Sequence, residues 1–183
     1  YGEAMDHYVT SGQQSISVEE FQHRSRKVAS GLAEIGVTEG DSVALLLRND
    51  IAFLEATFGA NLLGAYPVPV NWHFKQTEIQ YILDNCKAKV LVAHSDLIPK
   101  LPIPLPKHVR ILLVPTPPEI QQSYNLTSEQ CSPTKDVTVW DHWRDQFTPW
   151  NKPPAAQRGS MIYTSGTTGL PKGVRRAPAS PNL

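Results

Sequence analysis

Residues 161–174 read MIYTSGTTGLPKGV, from Met161 to Val174. The segment joins a short apolar run to three glycines, four hydroxyl residues and one lysine within the span of a phosphate-sized loop. Met161, Ile162 and Tyr163 read as the end of a buried strand, and Thr164 opens a stretch too rich in glycine to continue it. Gly166, Gly169 and Gly173 lack a Cβ, so the backbone can take positive φ and turn successive N–H groups onto one concave point suited to an anion. Thr164, Ser165, Thr167 and Thr168 add hydroxyl groups, Lys172 adds a point charge, and Pro171 fixes the approach of that lysine by locking φ before it. The skeleton Gly166, Gly169, Pro171, Lys172, Gly173 arises by chance roughly once per million windows at ordinary residue frequencies, so these residues are expected to cradle the phosphates of ATP.

Two commoner phosphate motifs fail. A Walker loop needs Gly-Lys-Ser/Thr five residues after its first glycine, whereas the fifth residue after Gly166 is Pro171, and Lys172 is followed by Gly173 and Val174. No GxGxxG fingerprint occurs anywhere in the chain.

Outward from the loop, the chain alternates helix and strand. Ser17, Val18, Glu19 and Glu20 form a capping-box sequence, and Phe21, Ser25, Val28, Leu32 and Ile35 recur at helical intervals up to a terminating Gly36. Gly40 and Asp41 turn into Val43 to Leu47, a continuous apolar run suited to a strand covered on both faces. Asp50 is placed to cap a helix whose Leu54, Phe58 and Leu62 share one side. Tyr66 to Val70 reads as another strand, whose two prolines place it at an edge or an irregular end. Helix follows at Glu78 to Asn85, strand at Lys89 to Ala93, and a further strand at Val109 to Val114 within a proline-rich stretch. Such alternation implies an α/β fold with a largely parallel sheet and helices on its faces, and ligands of such sheets collect at the carboxyl ends of the strands. Trp140, Trp143 and Phe147 fall at helical spacing and are expected in the core.

With 17 basic and 17 acidic residues and 40% hydrophobic content in 183 residues, composition is that of a globular protein without the basic footprint of a nucleic-acid binder. No apolar run is long enough to span a bilayer, and YGEAMDHYVT lacks the pattern of a secretory signal, so a cytoplasmic location is expected. Cys86 and Cys131 are read as free thiols, and the six histidines show no zinc-binding spacing.

YTSGTTGLPKGV resembles the phosphate-binding signature of the adenylate-forming, or AMP-binding, superfamily of acyl-CoA synthetases, luciferases and peptide-synthetase adenylation domains. GDSVALLLRND, FLEATFGANLLGAYPVPVN and EIQYILDNCKAKVLV follow in the order that superfamily uses, and PVNWHF and GVRRAP look more like acyl-CoA synthetases of the fatty or aromatic type. The resemblance implies that residues 1–183 form the amino-terminal part of the large adenylate-forming domain, truncated just after the phosphate loop, with the rest of that domain and the small carboxy-terminal domain lying downstream. It implies an ATP-dependent ligase acting on a carboxylic acid, a fatty acid first, through an acyl adenylate and then a coenzyme A thioester. Thr164, Ser165, Gly166, Thr167, Thr168, Gly169, Lys172 and Gly173 would hold the nucleotide, Lys172 would act in catalysis, and Thr167 would help to ligate Mg2+. The other reading is an inactive truncated form with weak nucleotide binding or a role in protein contacts. The 183-residue segment by itself is expected neither to adenylate a carboxylate nor to fold as a stable monomer.

Overall fold

A computed structural model describes residues 7–102 and 104–164 with their side chains, and residues 165 and 171–174 as strand backbone. A short antiparallel hairpin, β1 (Tyr8–Ser11) and β2 (Gln14–Ser17), leads into α1 (Val18–Ile35). The Ser17 half of the capping box forms, its Oγ accepting from the Glu20 N–H at 3.1 Å, while the Glu20 carboxylate is taken by Arg24 Nε at 2.9 Å. Gly36, at φ 107°, ends the helix in the left-handed conformation that a Cβ would oppose.

The main sheet is parallel and four-stranded. β3 (Ser42–Leu46), β4 (Tyr66–Pro69), β5 (Val90–His94) and β6 (Arg110–Val114) stand in the order β4-β3-β5-β6. Each strand predicted upstream of the phosphate loop is present within about one residue of its expected bounds, and the proline-bearing β4 lies at the edge of this sheet. The register sets Val43 opposite Val90 and Leu46 opposite Ala93. Val43 and Leu45 of β3 face one core with Val90, Val92 and Leu112. Ala44 and Leu46 face the other with Leu91, Ala93 and Leu113. Both faces of the sheet are therefore dry, which is why these strands read as unbroken apolar runs.

Helix α2 (Ile51–Leu62) carries the chain from β3 to β4 over the first face, beside α1. Helix α3 (Gln76–Asn85) carries it from β4 back to β5 over the second face, on which Ile79, Ile82 and Leu83 are buried. The chain thus reverses direction across the sheet between β3 and β5.

The apolar side of α2 formed by Leu54, Phe58 and Leu62 is not the face that the helix buries. Ala52, Ala56, Gly59 and Ala60 are buried, whereas Leu54 and Leu62 are half-exposed and Phe58 is 47% exposed. Close approach to α1 is the reason: a Cβ on Gly59 would lie 2.5 Å from Val28 Cγ1 and 3.1 Å from the Ser25 carbonyl oxygen. Small residues win that face because larger ones would force the helices apart.

After β5 come a 3₁₀ turn at Ser95–Lys100, then short helices α4 (Pro118–Ser123), α5 (Ser128–Cys131) and α6 (Trp140–Arg144). Trp140 and Trp143 are buried in the first core, as their spacing predicts, and Phe147 packs against it. β7 (Ile162–Ser165) and β8 (Pro171–Val174) form an antiparallel pair. Among the described residues no helix is long and apolar enough to cross a membrane.

Candidate functional site

The described residues on either side of the predicted phosphate loop pair as β7 and β8. Met161 is 1% exposed, and its N–H donates to the Pro67 carbonyl on β4 at 2.8 Å. Tyr163 is buried, and its hydroxyl donates to Asn85 Oδ1 at the end of α3 at 2.6 Å. Ile162 and Tyr163 line one cavity with Pro69, Val70 and Asn71, so β7 advances beside β4 toward the carboxyl edge of the sheet. This is the edge at which ligands of open α/β sheets collect.

Thr164 and Ser165 belong to β7, which corrects the expectation that the strand ends at Tyr163 and the loop begins at Thr164. Pairing with β8 is the physical reason: Ser165 stands opposite Pro171, Thr164 opposite Lys172 and Tyr163 opposite Gly173, and the ladder satisfies backbone groups that a free loop would leave open. Lys172 and Gly173 are likewise strand residues rather than loop residues. Pro171 starts β8, a position where a missing N–H is tolerated. Thr164 is exposed. Gly166, Thr167, Thr168 and Gly169 lie outside the described residues, and with them the predicted phosphate nest and the proposed Thr167 contact to Mg2+.

The crevice between β3 and β5, where the chain reverses direction, holds a buried polar network that the sequence did not disclose. His94, at the end of β5, accepts the Arg48 backbone N–H on Nδ1 at 3.1 Å. Its proton is therefore on Nε2, which donates to Asp50 Oδ2 at 2.9 Å. Asp50 stands at the amino-terminal cap position of α2, but its carboxylate serves His94 rather than the helix. The Arg48 side chain crosses the same edge to Asp96, whose other oxygen accepts from the Thr116 hydroxyl at 2.8 Å. Its guanidinium lies 4.6 Å from the Trp72 ring centre and 4.3 Å from that of Tyr124. The ends of all four parallel strands are tied together by these contacts. The partners are 20 to 48 residues apart in sequence, so no local spacing could have revealed them.

Beside this network lies a cavity of about 480 Å³ lined by Arg48, Asn49, Val70, Trp72, Tyr124 and Ile162 among others. A second buried ion pair, Glu55 on α2 with Arg144 on α6, stands between the helices of the first core. Burial pushes the Glu55 carboxyl up to about 7, against the pull of Arg144. Among the described residues no group of three or more His, Cys, Asp or Glu is placed to hold a metal ion. Cys86 and Cys131 are both buried, and neither takes part in a disulfide among the described residues.

The β7–β8 hairpin, with Lys172 on its second strand and the glycine-rich segment between its strands, stands at the carboxyl edge of a parallel α/β sheet, the edge at which ligands of such folds collect. Residues 3–177 match the family model described as AMP-binding enzyme, and the chain belongs to that family. It is similar to the long-chain-fatty-acid–CoA ligase of Thermus thermophilus, 34% identical over 155 residues that make up 85% of this chain and 26% of that protein. It is also similar to 4-coumarate–CoA ligase 3 of Arabidopsis thaliana, 30% identical over 81% of this chain and 25% of that protein. Among solved structures, the anthranilate CoA ligase AuaEII in complex with anthranoyl-AMP superposes with a TM-score of 0.73 at 26% identity, over 90% of this chain and 30% of that one. The chain thus spans about a quarter of the length of these curated relatives.

Proposed function

We propose that this chain is the amino-terminal part of the large domain of an ATP-dependent acyl-CoA ligase. In that reaction a carboxylate attacks the α-phosphorus of ATP, releasing pyrophosphate and leaving an acyl adenylate, and the thiolate of coenzyme A then displaces AMP. The observation that carries the reading is the YTSGTTGLPKGV hairpin at the carboxyl edge of the parallel sheet, in a chain of the AMP-binding family.

Phosphate chemistry of this kind is driven by positioning and by stabilising charge on phosphate oxygens. Backbone N–H groups around Gly166 and Gly169 would meet the β and γ phosphates, with Thr164, Ser165, Thr167, Thr168 and Gly173 beside them. Lys172 would steady the departing pyrophosphate. The anchoring of β7 through Met161 and Tyr163 gives that connection a rigid base. Mg2+, when bound, would neutralise phosphate charge, and its candidate ligand in this chain is Thr167. A carboxylic acid already ionised at neutral pH needs no general base.

A fatty acid is the first substrate to test. The similarity to the Thermus thermophilus long-chain ligase supports it, and the PVNWHF and GVRRAP stretches fit a ligase of the fatty or aromatic type. In the full-length protein that carries this segment, labelled pyrophosphate is expected to enter ATP only when a suitable carboxylate is present. No incorporation across fatty, aromatic and sterol carboxylates, by protein shown to be folded, would sink the proposal.

A further inference from the structure

The β7–β8 hairpin is a sheet of its own. Among the described residues no strand ladder joins it to β4, so its place beside the main sheet depends on single contacts. The first is the backbone bond from Met161 to Pro67, just before β7 begins. Two residues further on, the Tyr163 hydroxyl donates to Asn85 Oδ1 at 2.6 Å, across 78 residues of sequence. A two-stranded ribbon is marginal by itself, so contacts of this kind decide where it stands.

The alternation along β7 sets what that second bond controls. Ile162 is 50% exposed and Thr164 is exposed, whereas Tyr163 between them is 6% exposed and turned onto the body of the protein. The backbone of Tyr163 stands opposite Gly173, and the neighbouring pair is Thr164 with Lys172. A shift at Tyr163 would therefore carry Thr164 and Lys172 with it. β8 lies beside α3, the helix that Asn85 ends, so the bond closes the ribbon onto a helix it already touches. Asn85 itself is exposed, and α3 is held to its core by Ile79, Ile82 and Leu83. Among the described residues its side chain makes one hydrogen bond, the one to Tyr163.

We propose that Asn85 is a positioning residue for phosphate binding: acting through Tyr163, it holds the Thr164 and Lys172 pair in place at the sheet edge, and it bears on ATP but not on AMP. The inference rests on the reading of this hairpin as the phosphate site of an acyl-CoA ligase. The β and γ phosphates leave as pyrophosphate when the acyl adenylate forms. The tether therefore serves the first half-reaction and is idle in the second, in which the coenzyme A thiolate attacks the acyl carbonyl and AMP departs.

The test compares the full-length protein with its Asn85→Ala, Asn85→Asp and Tyr163→Phe variants by calorimetry, using α,β-methylene-ATP, which cannot be cleaved to an adenylate, and AMP. Asn85→Ala and Tyr163→Phe are each expected to weaken binding of the ATP analogue roughly three- to tenfold, the scale of one neutral hydrogen bond, and to leave AMP binding unchanged. Asn85→Asp keeps an acceptor oxygen for the hydroxyl and is expected to bind the analogue as the unaltered protein does. The two losses share one bond, so the double variant should lose no more than either single one. Unchanged analogue binding in both single variants, or an equal loss for the analogue and AMP, as general loosening of the fold would give, would overturn the proposal. Failure of Asn85→Asp to restore binding would do the same. Pyrophosphate exchange across fatty, aromatic and sterol carboxylates separates the two readings: a selective loss of analogue binding with no exchange in the unaltered protein would sink the ligase and leave the tether standing.

Discussion

Glu55 and Arg144 meet at 3.1 Å between α2 and α6, each side chain almost wholly withdrawn from water. Arg144 also contacts Asp141 at 2.8 Å and Asp145 at 3.0 Å, so one guanidinium serves three carboxylates, and only Glu55 of the three is buried. Desolvation is the largest influence on Glu55 and outweighs Arg144, which is why its carboxyl is raised from 4.5 to about 7.

That shift has a definite sign. A raised carboxyl pKa means that the folded state holds the proton more tightly than the unfolded state. Stability should therefore fall as pH climbs from about 4.5 through 7 and level off above it. The loss relative to Glu55→Gln is on the order of 3 kcal/mol across that window. Urea denaturation of the full-length protein and its Glu55→Gln variant between those pH values measures it, and parallel profiles would mean that Glu55 stays ionised beside Arg144.

His94 should matter more than its silence in the sequence suggests. Replacing it with alanine strips a partner from the Asp50 carboxylate and from the Arg48 N–H while opening a cavity at a fully buried position. A loss of roughly 3–5 kcal/mol in denaturant unfolding is expected from the stranded polar groups and the lost packing together. A loss below 1 kcal/mol would show that water replaces the imidazole without cost, leaving the strand ends held by Arg48 and Asp96.

The contact between α1 and α2 can be tested by a double substitution. Gly59→Ala gains helix propensity, but its methyl group meets Val28 Cγ1 at 2.5 Å, and overpacking of this kind costs about 1–3 kcal/mol. Val28→Ala removes Cγ1, the nearest obstructing carbon, and leaves Cβ at 2.9 Å, so the pair should be less destabilised than the sum of the single changes. Simple additivity would show that the helices separate without resistance.

How much of this was legible follows from which interactions are local. Alternation of apolar runs and helical spacing is a local property, so β3, β5, β6 and the position of Trp140 and Trp143 could be read directly. The prolines of β4 announced an edge or an irregular end. The buried face of α2 could not be read from its apolar stripe of Leu54, Phe58 and Leu62, because only the proximity of Val28, distant in sequence, gives the small residues the advantage. Thr164 and Ser165 looked like loop because the strand that pairs with them lies beyond the glycines. The network of Arg48, Asp50, His94 and Asp96 is assembled across the strand order β4-β3-β5-β6, which alternation implies only as a class. His94 carried one usable hint, since it ends an apolar strand beside the one that ends just before Arg48.

The last expectation concerns Lys172 and Gly166 in the full-length protein. The register of β8 places Lys172 opposite Thr164, one pair inward from the start of the phosphate connection, on a hairpin whose first strand is pinned to β4 and α3. Lys172 is the cation proposed to meet phosphate. If its ammonium meets a phosphate oxygen in the transition state, the lost charge-assisted hydrogen bond is worth about 1.5–3 kcal/mol, and Lys172→Ala should slow adenylation by roughly ten- to more than a hundredfold. Gly166→Val should slow it at least as much, because a branched side chain at that point blocks approach of the backbone to phosphate. Single-turnover formation of the acyl adenylate gives the rate, and circular dichroism checks that each variant is folded. Unchanged rates in both would reduce YTSGTTGLPKGV to a structural turn and remove the main support for phosphate binding at this hairpin.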